Sequence, residues 1–101
     1  MNLPSAFIER INELLAAEAP YFFNALDNPA PVSVRLNPHK SAHVFPEAAE
    51  IPWSTQGCYL PQRPVFTLDP LFHAGVYYVQ EASSMFLEQV FRANVDINKP
   101  L

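Results

Sequence analysis

Apolar positions along this chain recur with two different periods. Phe7, Ile8, Ile11, Leu14 and Leu15 fall at helical spacing behind Pro4-Ser5, with Glu9, Arg10 and Glu13 between them, and this predicts an amphipathic helix. Pro20 suits the first turn of a second helix carrying Tyr21, Phe22, Phe23 and Leu26, which Asn28-Pro29-Ala30-Pro31 ends. The two helices are expected to form a hairpin. The period then becomes two: Val32, Val34 and Leu36 alternate with Ser33 and Arg35, the pattern of a half-buried strand with Ser33 and Arg35 pointing outward. Asn37-Pro38 stops it. A helical turn is expected around residues 47–50, and short strands over 51–53 and 58–60 flank a Ser-Thr-Gln-Gly turn. Pro61-Gln62-Arg63-Pro64 reads as an extended connector. Asp69 can cap a short helix starting at Pro70, with Gly75 at its left-handed end. Residues 76–80 predict another strand, and a last helix over 82–93 presents Phe86, Leu87, Val90 and Phe91 on one face. The sum is an α+β fold: an N-terminal helical hairpin packed on a small, mainly antiparallel sheet, with a C-terminal helix.

Composition narrows the class. A chain of 101 residues supports one domain, burying about two-thirds of its unfolded surface. Half its residues are hydrophobic and thirteen are aromatic, which allows a packed core and excludes a disordered tail. No apolar run approaches the roughly 20 residues that span a bilayer. The N-terminus lacks the basic flank and apolar stretch of a secretory signal, and Met1 reads as a native start. A single cysteine cannot form an internal disulfide, which fits a reducing cytoplasm. Six basic residues against ten acidic ones give a net charge of −4, a poor footprint for an autonomous nucleic-acid binder. Any RNA contact must therefore be local.

The densest chemistry lies in Gly75-Val76-Tyr77-Tyr78-Val79-Gln80-Glu81-Ala82-Ser83-Ser84-Met85, where a strand delivers polar groups to the start of a helix. Gln80, Glu81, Ser83 and Ser84 offer hydrogen-bond partners to a polar ligand, or else satisfy the helix's own unpaired amides. A second block is Arg35-Leu36-Asn37-Pro38-His39-Lys40. Arg35 and Lys40 could bind phosphate, with Asn37 holding the turn; alternatively this is a solvated strand end whose Arg35 pairs with a carboxylate. Cys58 has no adjacent basic residue to lower its pKa and reads as a structural thiol, not a nucleophile. His39, His43 and His73 show no zinc-ligand spacing. Trp53 and the pair Tyr77-Tyr78 could stack on bases, although such positions are usually core, and only one of the two tyrosines can face inward.

In this order the Arg35 block, Trp53…Gly57-Cys58-Tyr59-Leu60-Pro61…Arg63-Pro64 and the Gln80 block resemble the N-terminal part of the RsmF-type branch of the RNA cytosine-5 methyltransferases, the Sun-domain family. The resemblance runs from the first helix to about residue 92. It implies a parent enzyme that is cytoplasmic, depends on S-adenosyl-L-methionine and makes 5-methylcytosine in ribosomal RNA. In that parent one cysteine thiolate adds to C6 of a flipped cytosine and a second assists release. It also implies that Gln80, Glu81, Ser83 and Ser84 border the cofactor pocket, and that Arg35, Asn37, Lys40 and Arg63 face RNA. The family's glycine-rich loop and reactive cysteines lie beyond Lys99-Pro100-Leu101. Residues 1–93 are thus expected to be an excised N-terminal domain, inactive alone, with 94–101 the start of the catalytic domain, which would be its partner. The competing expectation is a stand-alone α+β protein-interaction module without catalytic activity.

Overall fold

Proline decides where each N-terminal helix begins. Pro4, with φ −59°, immediately precedes α1 (Ser5–Leu15), and Pro20 occupies the first turn of α2 (Ala19–Asp27). There its missing N–H removes no helical hydrogen bond. A 3-10 turn over Ala16–Glu18 reverses the chain between the two helices, and Ala16 enters it at φ 47°, a region costly for any residue with a Cβ. Ala19 is fully buried, and Phe7 meets Phe22 with ring centroids 6.3 Å apart. The expected hairpin is present. The structure, a computed structural model, describes residues 2–40, 44–96 and 98. It divides into two compact units: Met1–Ala30, which holds the hairpin, and Pro31–Leu101, which holds the sheet.

The second unit is built on four antiparallel strands, β1 (Val32–Leu36), β2 (Ala49–Glu50), β3 (Gly57–Leu60) and β4 (Tyr77–Val79), in the order β2-β3-β1-β4. Val34 stands opposite both Cys58 and Val79, and Arg35 opposite both Gly57 and Tyr78. Because side chains alternate, one face gathers Val34, Cys58, Leu60 and Tyr77 with Phe66 and Val76 into the main core. The Tyr77 ring is its hub, with centroids 5.0 Å from Phe45, 5.9 Å from Phe72 and 6.0 Å from Phe66. Each such aromatic pair contributes about 0.5–1.5 kcal/mol beyond its area. The Tyr77 hydroxyl donates to Asp69 Oδ2 at 2.5 Å, while Asp69 Oδ1 accepts from the Leu71 amide at 2.9 Å and so caps α3 (Pro70–His73). Burial, and then the Asp69 carboxylate, push the Tyr77 phenol above its ordinary pKa. Gly75 ends that helix region at φ 74°, as its position after Ala74 requires.

The other face departs from the alternation argument. Ser33 was expected to point to solvent; it does lie on that face, but it is buried at 5% exposure. The reason is α4 (Ala82–Met85), which lies across this part of the sheet and packs Ala82 and Met85 with Ile51 against Trp53 and Tyr59. Ser33 Oγ donates to the Gln80 carbonyl at 2.6 Å, so the buried hydroxyl is satisfied. Three further expectations are corrected. Residues 49–50 form strand β2 instead of a helical turn, and 51–53 belong to the loop that joins it to β3, because Glu50 pairs with Cys58. The last helix is two helices, α4 and α5 (Leu87–Asn94), with a break at Phe86.

Gly57 makes this second layer possible. A Cβ there would run into Met85 Sδ and would lie 2.9 Å from Ser54 Oγ and 3.0 Å from Ile51 Cδ1. Gly57→Ala is therefore expected to destabilise the sheet unit by roughly 1–3 kcal/mol, the usual cost of overpacking. A lower urea midpoint at unchanged slope would register it; an unchanged midpoint would show that Met85 moves aside freely.

Candidate functional site

Where α4 leaves the second face of the sheet uncovered, a groove of about 790 Å³ opens. Arg35, Tyr78 and Gln80 line its sheet wall, and Ser84, Leu87, Glu88, Phe91 and Arg92 its helix wall. These helix residues recur at three- and four-residue spacing, so the groove follows one stripe of α4 and α5.

The loop between β2 and β3 locks this wall in place. Trp53 Nε1 donates to the Ala82 carbonyl at 2.7 Å, and Gln89 Nε2 donates to the Trp53 carbonyl at 2.9 Å. Thr55 donates twice to Glu88, from its backbone at 3.0 Å and its hydroxyl at 2.6 Å. Trp53 thus serves as a clamp, its indole edge-on to Phe86 at 6.4 Å. The Thr55 hydrogen bond, chiefly, holds the Glu88 carboxyl below its ordinary pKa against the opposing cost of burial, with help from Arg92 at 3.7 Å and the charge of Arg35.

The residues singled out from sequence separate into distinct roles. Arg35 is exposed and its side chain makes no hydrogen bond or ion pair with another described residue, so the expected alternative of a carboxylate partner is met only by Glu88's longer-range charge. Asn37 is consumed locally: Nδ2 donates to the Gly75 carbonyl at 3.0 Å and Oδ1 accepts from the His39 amide at 3.0 Å. Lys40 Nζ donates to the Ala74 carbonyl at 2.6 Å, at the carboxyl end of α3 where a cation is favoured. Both residues pin the turn that leads into β4. Arg63 lies away from the groove, its guanidinium 5.4 Å from the centre of the Phe66 ring. Gln80 and Ser84 line the groove, and Gln80 Oε1 is buried without a hydrogen-bond partner among the described residues. Glu81 and Ser83 are exposed beside it, and no side chain caps α4.

Tyr77 faces inward and Tyr78 outward at 61% exposure, so one tyrosine of the pair is core and the other is groove wall. Cys58 is buried beneath the sheet, and burial pushes its thiol above the ordinary pKa. His73 contacts the Thr67 carbonyl at 2.9 Å, and His43 lies outside the described residues. Among the described residues no group of three His, Cys, Asp or Glu could hold a metal, and no helix is long and apolar enough to cross a membrane. Sequence reasoning missed Glu88, Phe91 and Arg92 as groove residues. Their spacing of four, seven and eight from Ser84 is the signal that could have found them.

The Glu88 clamp has a pH signature. Because the folded pKa is depressed, the stability it supplies is present above the ordinary carboxylate pKa and is lost as pH falls through the folded value. Glu88→Gln is expected to cost about 1 kcal/mol at neutral pH. Thermal unfolding should show the gap from wild type closing in acid; a gap independent of pH would remove Glu88's charge from the clamp.

Comparison with known families matches the N-terminal domain of 16S rRNA methyltransferase RsmF over residues 3–82. The matched span includes the hairpin, all four strands and the approach to α4, and it leaves α5 outside. It covers most of the chain, and the chain therefore belongs to the family of RsmF N-terminal domains, the front part of a ribosomal RNA methyltransferase.

Proposed function

We propose that this domain is the RNA-facing part of a cytoplasmic, S-adenosyl-L-methionine-dependent rRNA (cytosine-5)-methyltransferase, bracing the cofactor pocket on one side and contacting RNA on the other. The family match over 3–82 is the observation that carries this reading. Arg35 contacts the RNA backbone: its guanidinium has no hydrogen-bond or ion-pair partner among the described residues and is exposed beside the groove, and such a guanidinium can take a phosphate bidentately. Lys40 keeps two N–H groups for the same purpose, Arg63 adds charge at a separate point, and Asn37 supports both by holding the turn.

The residues at the start of α4 fit the polar parts of the cofactor. Gln80, Glu81, Ser83 and Ser84 cap nothing with their side chains, so their polar groups are not spent on the helix. The buried Gln80 Oε1 is an acceptor in want of a donor. When bound, the cofactor supplies an activated methyl group on its sulfonium. The part of this chain is to bind, orient and exclude water. Cys58, buried with a raised pKa, takes no part as nucleophile.

In the full-length parent, Arg35→Glu is expected to weaken binding to ribosomal RNA fragments about tenfold or more while leaving cofactor affinity unchanged. Equal loss of both would count against the assignment. Ser83→Leu is expected to lower cofactor affinity about tenfold by calorimetry. An unaltered dissociation constant would take this segment out of the pocket. The exposed apolar residues Phe86 at 54%, Leu87 at 55% and Val90 at 47% favour a second reading, a protein-interaction module. It predicts that Arg35→Glu leaves RNA binding untouched.

A further inference from the structure

The groove carries aromatic rings as well as two arginines. Tyr78 at 61% exposure stands on its sheet wall and Phe91 at 52% on its helix wall. Each ring is half-exposed or more. Arg35 lies directly across the strand pair from Tyr78, and Arg92 follows Phe91 on α5. Glu88, between the guanidiniums, accepts from Thr55 and pairs with Arg92 at 3.7 Å, so the groove lining holds two cations against one carboxylate. The lining is therefore positive by one charge on a chain whose net charge is −4. Two aromatic faces flanked by cations match one chemistry well: an unpaired nucleobase with its adjoining phosphates. An apolar protein segment would satisfy the rings but would leave the arginines unused.

Resting on the RNA-facing reading above, we infer that this groove is a slot for a single unpaired RNA nucleotide, its base held against Tyr78 and Phe91 and its flanking phosphates met by Arg35 and Arg92. Gln80 and Ser84 line the same groove, so a base held there lies next to the residues that fit the cofactor. Duplex RNA is excluded, because paired bases present no free face to the rings.

The 101-residue chain titrated with single-stranded hexacytidylate, and separately with a 12-base-pair RNA duplex, tests this. Wild type should bind the single strand more tightly than the duplex. Tyr78→Leu and Phe91→Leu should each weaken the single strand by roughly tenfold. Arg35→Gln and Arg92→Gln should each flatten the salt dependence by about 0.7 in logarithmic slope. Both rings are half-exposed or more, and circular dichroism checks that the variants fold. Photo-crosslinking of a 5-bromouridine hexamer to the unaltered chain should label the peptides containing Tyr78 or Phe91, and labelling confined elsewhere would overturn the slot. Tighter duplex binding, or full affinity in the aromatic variants, would also overturn it. If the parent still loses RNA affinity through Arg35→Glu, only the slot falls; if that variant binds normally, the RNA-facing reading falls with it.

Discussion

Met85 can lie against the sheet only because residue 57 carries no side chain. Burying a methionine side chain stabilises a fold by about 1.5–3 kcal/mol, and here the same burial fixes where α4 sits. Much else follows from that placement. Ser33 is roofed over and must donate to the Gln80 carbonyl, which draws the end of β4 inward. Ala82 comes within reach of the Trp53 indole, and Glu88, six residues further on, within reach of Thr55. A glycine on the strand is thus the condition for a helix start that carries four polar residues uncapped.

The electrostatics of the groove depend on the same scaffold. An acidic chain offers RNA little attraction at long range, so a useful cation must be left unspent at short range. Lys40 is spent in part on Ala74, Arg63 leans on Phe66, and Arg92 shares Glu88. Among the described residues Arg35 alone of these has no such tie, because the carboxylate whose charge reaches it is occupied by Thr55. The loop that clamps the helix wall therefore also keeps one guanidinium available.

Local chemistry was the most legible part of the sequence. Pro20, the alternation of 32–36, the Asp69 cap and the left-handed Gly75 each state a backbone requirement within a few residues, and each appears in the structure. Misreadings arose where a distant element overrode a local pattern. Ser33 alternates like a surface residue, yet a helix fifty positions later covers it. Ala49 and Glu50 look helical in isolation and become a strand because β3 offers a partner. The groove was half legible: Arg35 and Gln80 announce themselves by type, whereas Glu88 and Arg92 look like an ordinary surface ion pair until the sheet is placed opposite them.

Asp69 holds two things at once, the first free amide of α3 and the hydroxyl at the centre of the aromatic core. Neither oxygen is spare. Fraying of that short helix and loosening of the Tyr77 ring are consequently a single event, and a helix of four residues inherits the cooperativity of the core beneath it. Since Lys40 and Asn37 fasten the far end of the same helix and its turn, the strand that carries Tyr78 to the groove is anchored from within the hydrophobic interior, not from the surface.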